Sequence, residues 1–134
     1  MQNDSKTLPD PAAAHQYFSS KMQFTTGPVE VNRRLKEKEE INILDVRDPE
    51  DFEKSHVPTA QNLPQERWSD VSPLRRDCVN ILYCYSQTCH LAAAAALEFS
   101  RKGYSVMEMD GGFEAWQEKD LPTQKGAAPI QKAA

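Results

Sequence analysis

Two short runs of aliphatic and β-branched residues stand out from an otherwise polar chain. Residues 41–46 (INILDV) and 79–83 (VNILY) are mostly apolar, and residues 104–109 (YSVMEM) form a weaker third run. Apolar runs of this length with little alternation are typical of strands buried on both faces of a parallel sheet. The pattern therefore predicts three buried strands.

Helical patterns lie before and between these runs. Residues 12–22 predict a short helix packed on the domain as an added arm, with Ala13, Tyr17 and Phe18 on its apolar face. A second helix is expected to start at a Thr26 cap and end in the charged residues 36–40, and a final short helix to start at residue 113. The clearest helix is residues 90–102, which contain five consecutive alanines. Strands that alternate with helices predict an α/β fold with a central, mainly parallel sheet flanked by helices.

Length and composition predict one domain. The chain has 134 residues, of which 39% are hydrophobic and 27% charged, enough to bury a core without disulfide staples. We expect a single domain over residues 11–122, with residues 11–25 as an N-terminal helical arm. Residues 1–10 and 123–134 have little apolar content and predict a flexible N-terminus and a flexible tail.

The net charge of the chain indicates which classes of binding partner to expect. The net charge is −4 and the pI is near 5.4, which argues against nucleic acids and membrane surfaces, since both select basic proteins. No stretch approaches the roughly 20 apolar residues of a membrane span, and the first residues lack an apolar signal core. The sequence predicts a cytoplasmic protein whose partner is a small molecule or another protein.

The candidate chemistry lies at a cysteine that directly follows the second apolar run. Cys84 is followed by a loop of six residues and then by the alanine-rich helix. In such a strand–loop–helix unit, backbone amides and the helix dipole converge on an anion, and a thiolate there is a nucleophile. The alternative is a small buried hydrophobic residue, but the context favours a nucleophile. With three cysteines and no second Cys or His cluster, the sequence predicts free thiols, no metal and no cofactor.

Four ordered segments resemble motifs of the rhodanese family, over about residues 26–122. These are DVRDPEDF (45–52), HVPTA (56–60), ILYC (81–84) and DGGFEAW (110–116). The resemblance implies a rhodanese-like fold in which Cys84 accepts a sulfane sulfur as a persulfide. The donor would be a small sulfur compound or a persulfide-bearing protein, and the acceptor a thiol.

The active-site loop departs from the common family pattern CRSGNRS. Tyr85 and Cys89 stand at the two arginine positions and Gln87 at the glycine, which leaves the use of thiosulfate as donor open. In this respect the chain is more similar to a branch of the family with a second cysteine in the loop. The expected site is Cys84 with its loop residues Tyr85, Ser86, Gln87, Thr88, Cys89 and His90.

Several residues near the loop have two interpretations. Cys89 either fills the space of an arginine or is a resolving thiol that attacks a persulfide or sulfenate on Cys84. Arg47 either binds an anion beside the loop or, as we favour, joins a structural ion-pair network with its acidic neighbours Asp48, Glu50 and Asp51. Asp45 and Arg47 are both candidate supporting residues of the site. His90 either donates to a bound anion or caps the helix, and His56 is expected to be structural.

Three functions compete. The sequence favours a sulfurtransferase with Cys84 as nucleophile over a non-enzymatic persulfide carrier or protein-binding module, and over a thiol redox protein that uses Cys84 and Cys89. Phosphatases with a related fold place an arginine six positions after the cysteine, where this chain has His90. A phosphatase is therefore disfavoured.

Overall fold

The computed structural model describes residues 7–126 of the chain. Five helices and five strands follow one another along the described chain, together with a 3-10 helix at Gln65–Arg67. The helices are α1 (Pro11–Phe24), α2 (Pro28–Lys36), α3 (Pro49–Lys54), α4 (Leu91–Arg101) and α5 (Gly112–Glu118). The strands are β1 (Thr25–Thr26), β2 (Ile41–Asp45), β3 (Gln61–Asn62), β4 (Val79–Tyr83) and β5 (Val106–Met109).

The strands form one parallel sheet in the order β1-β5-β4-β2-β3. Its centre is the pair β2 and β4, which align from Ile41 opposite Val79 to Asp45 opposite Tyr83. Because the two strands end in register, the residues that follow them lie next to each other at the carboxyl edge of the sheet.

Alternate residues of the central strands supply two hydrophobic cores. On one face, Ile43 and Ile81 pack with residues of α2, α3 and α5. On the other face, Leu44 and Leu82 pack with Ala92, Ala95 and Phe99 of α4, and the nucleophile candidate Cys84 belongs to this second core. Small side chains on α4 let the helix approach the sheet closely, as the alanine run predicted.

The predicted α/β architecture is confirmed. The runs at residues 41–46 and 79–83 are strands, and the third strand is shorter than expected, beginning at Val106. The prediction that Thr26 caps α2 is wrong. Thr26 belongs to the edge strand β1, and its carbonyl accepts from Asp110 N at 2.8 Å. The residue at the cap position of α2 is Gly27. Helix α3 and strand β3 were not predicted, since each is too short to show a period.

The arm and the tail also differ from expectation. Helix α1 contacts β5 but buries none of its residues, and Tyr17 and Phe18 on its expected apolar face remain exposed. The tail does not leave the domain at residue 123, because Gln124 forms an antiparallel bridge with His56 and Gly126 N donates to Glu53 O at 2.6 Å. Of the segments predicted to be flexible, 1–10 and 123–134, residues 1–6 and 127–134 lie outside the described residues. No helix in the described part of the chain is both long and apolar enough to cross a membrane.

The second core makes a direct prediction about stability. Phe99→Ala should lower the free energy of unfolding by about 3–5 kcal/mol, because Phe99 is fully buried between the sheet and the Trp68 ring. Leu97→Ala is the matched control on the same helix; Leu97 is exposed, so a change within about 0.5 kcal/mol is expected. Urea unfolding monitored by circular dichroism measures both, and equal losses would contradict this account of the core.

Candidate active site

Cys84 lies at the carboxyl end of β4, on the face that packs against α4. Cys84 is buried, with only 2% of its surface exposed. The loop then turns through residues 85–90 and enters α4 at His90, which occupies the cap position without a side-chain capping bond. The predicted strand–loop–helix unit is therefore present, with the amino end of α4 directly after the loop.

Backbone amides at the start of α5 donate hydrogen bonds to the active-site loop. Phe113 N donates to Cys84 O and Glu114 N donates to Tyr85 O, each at 2.9 Å. The amide of Gly111 donates to the side-chain oxygen of Gln87 at 2.6 Å. Amide donors of a helix start that have no partner within the helix are thus satisfied by the loop.

Gly112 is required where α5 meets the loop. Its φ is +60°, and a Cβ there would lie 2.7 Å from Cys84 O and 2.8 Å from Ser86 N. Both the backbone conformation and the close approach select glycine. Sequence reasoning placed a turn at Gly111-Gly112 but missed this contact, since nothing local indicates which segment packs against the turn.

The loop presents backbone amides that the protein leaves unused. Among the described residues, the amides of Tyr85, Ser86, Gln87 and Thr88 donate to no protein acceptor. Because the N–H and C=O of a trans peptide point in opposite directions, binding of the Cys84 and Tyr85 carbonyls by α5 turns the next two amides away from that helix. Unpaired amides beside a helix start suit an anionic group.

Cys84 and Cys89 are joined in a disulfide in this structure. Their Cα atoms are 6.5 Å apart, within the separation that disulfides span. The loop closes on itself because Cys89 N donates to Ser86 O at 3.2 Å. Cys78 is a free thiol just before β4, and burial raises its pKa. The sequence left the pairing undecided, and the structure brings the two loop cysteines together.

A buried ion pair lies beside the site. The Asp45 carboxylate is fully buried and accepts from the Arg47 guanidinium, with the closest contact at 2.8 Å, and from the Tyr83 hydroxyl at 2.6 Å. Burial and the neighbouring carboxylate both raise the pKa of Tyr83 well above its usual value. The hydroxyl also accepts from Val57 N at 3.1 Å. The arrangement ties β2, β4 and the segment after α3 together.

Arg47 is committed to this network. Burial alone would lower the pKa of its guanidinium, but the hydrogen bonds and charge of Asp45 outweigh that effect and raise it. The guanidinium also donates to Ser55 O at 2.6 Å and lies 4.2 Å from the centre of the Phe113 ring. The favoured structural interpretation agrees with this geometry, but the expected partners do not: the ion pair is with Asp45 rather than with Asp48, Glu50 or Asp51, because only Asp45 is buried with it.

Tyr85 anchors the near end of the loop. Its hydroxyl donates to the Asp51 carboxylate at 2.6 Å and accepts from Asp48 N at 3.1 Å. Partial burial, followed by the hydrogen bond to Asp51, raises the pKa of this phenol to about 12. Tyr85 therefore fixes the loop to the start of α3, a role that the sequence did not indicate.

The remaining polar groups add little positive charge to the loop. His56 is buried with Nδ1 2.8 Å from Phe52 O, which fits its expected structural role. His90 is exposed, and burial and the charge of Asp110 raise the pKa of the nearby Glu108 carboxyl. Lys21 pairs with Asp110 at 3.6 Å. No three His, Cys, Asp or Glu side chains converge as a metal site within residues 7–126.

Comparison with known proteins assigns the family. The family model of the rhodanese-like domain matches residues 28–119 of this chain, which is more than half of its length. The thiosulfate sulfurtransferase GlpE of Pseudomonas putida is 32% identical over 97 residues, covering 71% of this chain and 86% of that protein. This chain belongs to the rhodanese-like domain family, and sulfur transfer is the activity for which GlpE is named.

Two further relatives place the domain in context. The HTH-type transcriptional regulator Rv0324 of Mycobacterium tuberculosis is 30% identical over 95 residues, which cover 70% of this chain and 42% of the regulator. The chain therefore spans less than half the length of that relative. The crystal structure of the BH2092 protein from Bacillus halodurans superposes with a TM-score of 0.79 at 28% identity and covers 87% of each chain.

Replacing the buried Asp45 carboxylate should lower the free energy of unfolding. Asp45→Asn should lower the free energy of unfolding by about 3–5 kcal/mol, because Arg47 then remains buried without a counter-charge. Asp77→Asn is the matched control, since Asp77 pairs with Arg75 on the surface and its loss should be too small to resolve. Chemical denaturation of both variants measures this, and similar losses in the two would refute a special role for Asp45.

Alanine variants of Gly112 and Gly126 distinguish the cost of backbone strain from the cost of a clash with the active-site loop. Both glycines have positive φ, but a Cβ at Gly126 would meet no atom of residues 7–126 within 4 Å. Gly126→Ala should cost about 1–2 kcal/mol of unfolding free energy through strain alone. Gly112→Ala should cost more and, in the reduced protein, speed iodoacetamide labelling of Cys84, since α5 is pushed from the loop. Equal effects on stability and labelling would contradict this role for the contact.

Proposed function

We propose that the protein is a sulfurtransferase that carries sulfane sulfur as a persulfide on Cys84. The observation that carries the proposal is the placement of Cys84 between the carboxyl end of β4 and the amino end of α4, beside loop amides that no acceptor in the described part of the chain binds. Fixed amides and a helix dipole stabilise negative charge on sulfur, both as the attacking thiolate and as the persulfide anion.

The reaction divides into two sulfur transfers. The Cys84 thiolate attacks the outer sulfur of the donor, and the bond from that sulfur to the rest of the donor breaks. The donor leaves with the electron pair, as a thiolate if it was a persulfide. An acceptor thiolate then attacks the outer sulfur on Cys84, and Cys84 leaves as a thiolate again. No net oxidation of the protein occurs in this cycle.

The loop favours a persulfide donor over thiosulfate. None of the six residues from Tyr85 to His90 is a lysine or arginine, and Arg47 is occupied by Asp45 and Ser55. Thiosulfate carries two negative charges, which amides alone bind less well than amides with cations. The relatives named GlpE are thiosulfate sulfurtransferases, so the donor is where this chain is expected to differ from them.

Intact mass spectrometry tests the persulfide directly. The reduced Cys89→Ser variant, incubated with glutathione persulfide, should gain one sulfur atom, and with thiosulfate it should gain it at least about tenfold more slowly because no cation holds the dianion. Cys78→Ser on the same background should behave identically, whereas Cys84→Ser should gain nothing.

Two results would refute the proposal or its donor preference. A sulfur adduct that survives Cys84→Ser, or no adduct with either donor, is incompatible with a persulfide on Cys84. Equal rates with the two donors would overturn the preference for a persulfide. Catalytic turnover with a small thiol acceptor is expected for the enzyme, and a single transfer without turnover would indicate a persulfide carrier instead.

A further inference from the structure

Cys89 places a second thiol beside the nucleophile on the same loop. It follows Cys84 by five positions, is half-buried and packs against the core to which Cys84 belongs. The third cysteine, Cys78, precedes β4 at the opposite end of that strand. Within the described residues, Cys89 is thus the one thiol of the protein that is close enough to react with Cys84.

The disulfide coexists with the hydrogen bonds that shape the loop. With the disulfide in place, Cys84 O accepts from Phe113 N at 2.9 Å and Tyr85 O from Glu114 N at 2.9 Å. Cys89 N donates to Ser86 O at 3.2 Å. A reaction that ends in this disulfide is therefore compatible with the binding of the loop to α5.

Burial separates the two sulfur atoms of a persulfide on Cys84. With its disulfide to Cys89 in place, Cys84 is 2% exposed, and the transferred sulfur of a persulfide lies one bond farther along the side chain than the sulfur of Cys84 itself. An acceptor from solution therefore meets the outer sulfur first. A thiol on the same loop, already within bonding reach of Cys84, is the nucleophile suited to attack the inner one.

We propose that Cys89 is an internal acceptor that releases the carried sulfur as hydrosulfide; this rests on the persulfide function proposed above. The Cys89 thiol gives its proton to water, and its thiolate attacks the inner sulfur of the Cys84 persulfide. The bond between Cys84 and Cys89 forms with the electron pair of the Cys89 thiolate. Water protonates the outer sulfur of the persulfide, the sulfur–sulfur bond of the persulfide breaks, and the outer sulfur leaves with the electron pair of that broken bond and its proton as hydrosulfide.

The disulfide is reset by an external dithiol. One of its thiolates attacks one sulfur of the disulfide and forms a mixed disulfide, and its second thiol then displaces that cysteine, leaving Cys84 and Cys89 as thiols and the dithiol oxidised. The net reaction is reduction of a sulfane sulfur to sulfide by the dithiol. In this account the Cys84–Cys89 disulfide is an intermediate of the cycle.

Single-turnover measurements without air test the proposal. Reduced protein, freed of reductant, is mixed with one equivalent of glutathione persulfide, and both protein mass and released sulfide are followed. Wild type and Cys78→Ser should release about one sulfide per protein and lose two hydrogens from the protein mass. Cys89→Ser should instead retain one added sulfur and release sulfide at least about tenfold more slowly, because the attacking thiol must come from solution.

The controls distinguish failure of this proposal from failure of the persulfide function. Retention of the sulfur by wild type for as long as by Cys89→Ser, without sulfide, would overturn the release step alone. No added sulfur on Cys89→Ser and no sulfide from wild type would overturn both proposals. Loss of two hydrogens in wild type when the persulfide donor is omitted would also contradict the release step, since the oxidant would then not be the persulfide.

Discussion

The buried carboxylate of Asp45 is the interaction on which the rest of the site depends. It stands at the end of β2 and accepts from Arg47 and from Tyr83, so that the desolvation of one charge is offset by a counter-charge and several hydrogen bonds. Through Tyr83 it fixes the end of β4, directly before Cys84. Through Arg47, which lies against the Phe113 ring, it also supports the helix that holds the active-site loop.

The loop is shaped mainly by backbone contacts. The start of α5 takes up the carbonyls of Cys84 and Tyr85, and the glycine at residue 112 allows the two segments to touch. Fixing the carbonyls in this way directs the following amides to the other side, where no acceptor among residues 7–126 binds them. In the proposed mechanism these amides and the helix dipole stabilise negative charge at the site. The proposed preference for a persulfide donor over the thiosulfate dianion follows from the lack of a lysine or arginine in this loop.

A second cysteine changes what a persulfide on this loop can do. In the proposed chemistry an external thiol takes the outer sulfur and continues a transfer, whereas Cys89 attacks the inner sulfur and ends it as hydrosulfide. The two outcomes diverge because Cys84 itself is buried and Cys89 lies within bonding reach of it. The balance between them is then set by whether an acceptor or the loop's own thiol reaches the persulfide first.

The sequence by itself determined the central strands, the alanine-rich helix and the position of Cys84, because short, mostly apolar runs and strong helix propensity act locally. It did not determine the partner of Arg47, the contact made by Gly112, the anchoring of Tyr85 or the docking of Gln124 on His56. Each of these joins residues far apart in the chain or chooses among several nearby acids, and that choice follows from burial. The pairing of Cys84 with Cys89 was likewise decided by the tertiary structure, in which the Cys89 N to Ser86 O hydrogen bond closes the loop, α5 binds its first carbonyls, and the two Cα atoms lie 6.5 Å apart.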